Sequence, residues 1–74
     1  MEDSYTASLL SDAKEYLKSL SDEDRARIMA DIATMIGGHF EEVKTKQLEG
    51  PIRELISGPH RITYFLRERT LYFI

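Results

Sequence analysis

GPIRELISGPHRITYFLRERTLYFI, residues 50–74, is the stretch where the apolar period becomes that of strands and where basic residues gather. Ile52 to Ile56 alternates apolar and charged side chains, His60 to Leu66 is dense in β-branched and aromatic residues, and Thr70 to Ile74 is an apolar run. Ser57-Gly58-Pro59 and Arg67-Glu68-Arg69 are the breaks: the first holds the two strongest punctuators, the second is short and fully charged. The pattern predicts three strands in an antiparallel meander. Side chains alternate along a strand, so Arg61, Thr63 and Phe65 share one face while Ile62, Tyr64 and Leu66 share the other. The greasier face is expected to meet helices, which leaves Arg61 on the open one.

Upstream, Leu9, Leu10, Ala13, Tyr16, Leu17 and Leu20 recur at three- and four-residue spacing, the mark of an amphipathic helix starting near Ser8. Ser21-Asp22-Glu23-Asp24 reads as a fresh helix start, with the Ser21 hydroxyl as N-cap and three acids at the positive end of the dipole. The second helix is expected to bury Ala26, Met29, Ile32, Ala33 and Ile36 and to close at Gly37-Gly38, where positive φ is available. His39 to Val43 is a connection, and Val43 to Leu48 is a short strand or an extended lead into Gly50-Pro51, where a ladder must break. The expected fold class is α+β: two N-terminal antiparallel helices, a hairpin over about residues 8–37, packed on a small antiparallel β-meander over about 44–74. Leu10, Leu17, Met29, Ile32, Ile62 and Tyr64 are the expected contacts between the layers.

At 74 residues the chain makes one small domain, near the lower limit for a self-sufficient core. It has no Cys, so disulfide staples and thiolate metal sites are excluded. No apolar run approaches the length of a membrane span, and Met1-Glu2-Asp3 has the wrong charge for a signal peptide. A soluble, cytoplasmic protein is expected, with no membrane partner. The net charge of -3 hides an asymmetry: residues 1–42 carry four cations against ten acids, residues 43–74 six cations against three acids. The sheet half is the basic half, which is the electrostatic footprint of nucleic-acid binding, although an ordinary solvated face gives a similar count.

The run Lys44 and Lys46-Gln47-Leu48-Glu49-Gly50 to Arg53-Glu54-Leu55, then Gly58-Pro59-His60-Arg61-Ile62 and Tyr64-Phe65, resembles the central signature of RelE/ParE-superfamily toxins. It is most similar to the HigB-like, phage-derived branch, in which a lysine-rich lead-in, a Glu-Leu strand and a Gly-x-x-Arg-Ile-x-Tyr-Phe strand follow two helices. The likeness covers roughly residues 8–74 and implies the toxin component of a type II toxin–antitoxin system, a ribosome-associated mRNA endonuclease. The partners implied are a cognate antitoxin protein and, if the protein is active, mRNA and the ribosome. A gyrase-directed branch shares the same fold.

In such ribonucleases the substrate's own 2′-hydroxyl attacks the adjacent phosphate, so the site needs a proton acceptor, a proton donor and fixed positive charge. By the resemblance, Arg61 stabilises phosphate charge, Lys44 and Lys46 hold backbone phosphates, and Arg53 lies beside them, on this or the other face. His60 stands where relatives commonly have an aromatic residue. It can transfer a proton near neutrality, or it is simply a turn-adjacent side chain. His39 and His60 lack ligand-like neighbours in sequence, and neither metal nor cofactor is expected.

Two departures count against an intact nuclease. Ile56 stands where many relatives carry an arginine, and the family's lysine-rich C-terminal segment is not present after Ile74. The strand that precedes the helices in relatives is not visible in the sequence either. A truncated or degenerate toxin is therefore expected, the competing class being a non-catalytic interaction module that binds a partner through its sheet edge. Leu71-Tyr72-Phe73-Ile74 reads as a bare hydrophobic edge strand, expected to be covered by a homodimer contact or by a partner's strand.

Overall fold

Ser21 opens the second helix as the sequence requires, its hydroxyl accepting from the Asp24 backbone N–H at 3.1 Å. The structure is a computed structural model and describes residues 4–74; Met1, Glu2 and Asp3 of the polar lead-in lie outside the described residues. The elements run β1 (Thr6–Leu9), α1 (Ser11–Lys18), α2 (Asp22–Ile36), a 3-10 turn (Phe40–Glu42), β2 (Lys44–Glu49), β3 (Ile52–Ser57), β4 (His60–Arg67) and β5 (Thr70–Phe73). The class is α+β. The strands form one mixed sheet in the order β1-β5-β4-β3-β2. From β2 to β5 it is the expected antiparallel meander, and β1 joins it parallel to β5.

β1 corrects the sequence reading at two points. The chain from Thr6 is a strand, so the first helix begins at Ser11 and not near Ser8. With Thr6 opposite Thr70 and Leu9 opposite Phe73, β1 covers the outer side of β5. The C-terminal strand is therefore interior to the sheet, and the expectation of a dimer through a free edge there loses its premise. The sheet edges are β1 and β2.

The core is the layer between the two helices and one face of the sheet. It holds Ala13 and Leu17 from α1, Ile28, Ile32 and Met35 from α2, and Leu55, Ile62, Tyr64, Leu71 and Phe73 from the strands. Two expected core residues are outside it: Leu10 is 38% exposed and Met29 41%. The buried stripe of α2 is rotated from the expected one, with Ala26 and Ala33 also exposed. Arg25 sets this roll, because its guanidinium donates to the Leu17 and Leu20 carbonyls at 3.1 and 2.9 Å. It caps the orphan carbonyls at the end of α1, and the positions on its side of α2, Ile28, Ile32 and Met35, turn inward.

All three tight hairpins, at Gly50-Pro51, Gly58-Pro59 and Glu68-Arg69, use left-handed backbone. Gly58 has φ +60° and is followed by Pro59, whose ring keeps φ negative, the II′ order of signs. Glu68 and Arg69 both have positive φ, 48° and 67°, which is the I′ order carried by two residues with side chains. Arg69 is held there from outside the turn: its guanidinium donates to the Ser4 carbonyl and lies 4.3 Å over the Tyr5 ring.

Candidate nucleic-acid interface

Because Ile62 and Tyr64 point into the core, Arg61, Thr63, Phe65 and Arg67 of β4 point away from the helices. The same parity puts Ile52, Glu54 and Ile56 of β3 on that open face, together with Thr70 and Tyr72 of β5. From β2, Lys44 lies opposite Ile56 and Lys46 opposite Glu54. Ile56 in turn lies opposite Arg61. Lys44, Ile56 and Arg61 thus form one row across three strands, the outer two roughly 10 Å apart. Lys46, Glu54 and Thr63 form the next.

Lys44, Lys46, Arg61 and Arg67 are all exposed. The Arg61 side chain is 63% exposed, with its NH1 3.9 Å from Glu54 Oε1. Glu54, only 15% exposed, is the counter-charge set among these cations. Phe65 and Tyr72 stack on this face with ring centroids 5.1 Å apart and planes at 20°. Cations beside a flat aromatic surface are what a single-stranded nucleic acid requires, phosphates going to the first and bases to the second. The aromatic pair was missed in sequence. The two-residue Glu68-Arg69 turn sets the register that brings Phe65 opposite Tyr72, and is the signal that could have found it.

Two of the sequence-selected residues are elsewhere. Arg53 lies opposite Tyr64 and so is on the helix side of the sheet, where it donates to the Tyr64 hydroxyl at 3.3 Å and to Thr45 Oγ1 at 3.1 Å. His60, at the start of β4, also turns to the helix side. Its Nδ1 is 2.7 Å from the Tyr16 hydroxyl and its Nε2 3.0 Å from Asp24 Oδ2. An ionised carboxylate only accepts, so Nε2 carries a proton toward Asp24, and in the neutral ring Nδ1 accepts from Tyr16. The His60 hydrogen bond, opposed in part by desolvation and helped by the charges of His60 and Arg27 and by the Ser21 hydroxyl, holds the Asp24 carboxyl below the usual carboxylate range. This chain of three side chains ties the β3–β4 turn to both helices. It shares no surface with Arg61.

Among the described residues, His39, Glu41 and Glu42 bring ligand atoms within 4.8 Å of one another, all exposed at the 3-10 turn. No buried group orients them, so they read as solvated charge. No helix among the described residues is long and apolar enough to cross a membrane. The chain was compared with family models, with curated proteins and with solved structures, and none of the three gave a match.

Proposed function

We propose that the protein is a toxin of RelE/HigB type in a type II toxin–antitoxin pair, acting on messenger RNA at the ribosome in the cytoplasm and restrained by an antitoxin protein. The observation that carries this is the grouping of Lys44, Lys46 and Arg61 on one helix-free face of the sheet, beside the Phe65–Tyr72 stack. A strand ahead of the two helices, which the resemblance implies and the sequence hid, adds support. RNA lies along the open face with its phosphates on the cations. A salt titration of single-stranded RNA affinity tests this: Arg61→Ala is expected to weaken binding by about 1 to 3 kcal/mol and to flatten the salt slope by about one ion. Arg27→Ala, on the helical half, is expected to leave both unchanged. Equal losses from the two substitutions, or no binding by the native chain at low salt, would sink the proposal.

A second reading, a binding module without catalysis, is favoured by the separation of His60 from Arg61 by the thickness of the sheet and by Ile56 in the row between Lys44 and Arg61. Induced expression separates the two. The toxin arrests growth with cleavage of messenger RNA, whereas the module binds RNA or a protein without either effect.

A further inference from the structure

Arg53 is a partly buried cation whose charge none of the described residues neutralises at close range. Two of its nitrogens are used, Nε toward the Tyr64 hydroxyl and NH2 toward Thr45 Oγ1, and both partners are neutral. Among the described residues, no carboxylate comes within 4.0 Å of it, whereas Arg25, Arg27 and Arg61 each have one. Its NH1 edge is the part that the two hydroxyls do not reach, and a cation held partly out of water favours an anion there.

That guanidinium lines a cavity of about 370 Å³ on the helix side of the sheet, with no residue of α1 or α2 among the described lining residues. The other walls are aromatic and aliphatic: Tyr5, Phe40, Leu66 and Leu71, with Tyr64, whose hydroxyl accepts from Arg53. Tyr5 and Phe40 meet edge to face at 5.1 Å and 82°, forming a rigid corner. Small-molecule sites have this construction, an apolar concavity of several hundred Å³ with a few placed polar groups.

We propose that this cavity is a binding site for a small aromatic monocarboxylate. Its carboxylate pairs with the free edge of the Arg53 guanidinium, and its ring lies between the Tyr5–Phe40 corner and Leu66. Charge complementarity selects the class. One cation in an apolar wall matches one negative charge on an apolar body, whereas a phosphate dianion finds no second cation among the described lining residues and loses its hydration against Leu66 and Leu71. The orientation of the guanidinium is fixed in advance by Tyr64 and Thr45, which reduces the ordering cost of binding. RNA on the open face is not the occupant, since the whole sheet separates it from the cavity. The site therefore stands or falls independently of the toxin proposal.

The test is a titration of the ¹⁵N-labelled full chain with phenylacetate, followed by amide shifts. Shifts are expected at Thr45, Arg53, Leu66 and Leu71 but not at Ile56 or Arg61, and the neutral analogue phenylacetamide is expected to bind at least tenfold more weakly. Arg53→Gln is expected to reduce phenylacetate affinity at least tenfold. Should that variant fail to fold, Leu66→Glu, at a side chain already 45% exposed, sets an anion at the cavity wall and is expected to abolish the shifts. Equal binding of the acid and the amide, shifts centred on the open face, or retained affinity in the folded variant each overturn the assignment. So does tenfold tighter binding of a short peptide ending in phenylalanine, which would make the occupant a chain terminus, or of inorganic phosphate.

Discussion

On the open face, the Glu54 carboxylate stands among the cations on which RNA binding would depend: it is 3.9 Å from Arg61 and directly across from Lys46. Replacing it by glutamine removes a repulsion toward phosphate and releases Arg61. Glu54→Gln is expected to tighten RNA binding by roughly 0.5 to 1 kcal/mol at low salt, the worth of a single charge pair near the surface. Unchanged or weaker affinity in the same salt titration would show that Glu54 does not oppose binding. Asp24 makes a different kind of prediction. Its carboxyl is held below the usual range mainly by His60, so the stability it contributes is fully present above the ordinary carboxylate pKa and is lost as pH falls through the lower folded value. Asp24→Asn should therefore destabilise the protein at neutral pH and flatten the fall in stability on acidification. Parallel melting curves for native and variant protein across that acid range would remove the role given to the Tyr16–His60–Asp24 chain. Of these residues, the face of Arg61 was legible from strand alternation alone. The partners of His60 were not, because they lie 36 and 44 positions away and meet it only through the packing of the helices on the turn.

Among the elements, α2 shows what periodicity leaves undecided. Its sequence carries two overlapping apolar stripes, Met29-Ile32-Ala33-Ile36 and Ile28-Ile32-Met35, and both satisfy helical spacing. The tie is broken outside the helix, where Arg25 donates to the end of α1 and fixes the roll. The second stripe is buried. Ile28→Ala is expected to cost about 2 to 5 kcal/mol, and Met29→Ala well under 1 kcal/mol, since Ile28 is fully buried and Met29 is 41% exposed. Comparable losses in urea unfolding would reverse the assignment. The β4–β5 turn carries a further prediction. Glu68 at φ 48° holds a left-handed conformation that a side chain disfavours, whereas Asn tolerates it. Glu68→Asn should stabilise the hairpin by roughly 0.5 to 1 kcal/mol without touching Arg69, whose side chain anchors Ser4.

For the whole molecule, the decisive element is the one the sequence concealed. The meander and the helix pair announce themselves through local periodicity, but Thr-Ala-Ser-Leu has neither alternation nor length, and it becomes a strand only by pairing with β5 across more than sixty positions of sequence. The same pairing explains why Leu71 and Phe73 can be fully buried although their run looks like a bare edge. Thr6 donates to the Arg69 carbonyl and Leu10 to that of Phe73, each at 2.9 Å. By the period of a parallel ladder, Ser8 is the donor between them, and the Ala7 N–H points outward from the sheet edge. Proline separates the two positions cleanly because it removes one donor and leaves the extended backbone possible. Ser8→Pro is expected to cost roughly 1 to 3 kcal/mol, the scale of a lost interior hydrogen bond, and to bring early hydrogen exchange to the β5 amides. Ala7→Pro should melt close to the native protein with β5 still protected. If both variants behave alike, or if β5 exchanges slowly in Ser8→Pro, then β1 is not what closes the sheet.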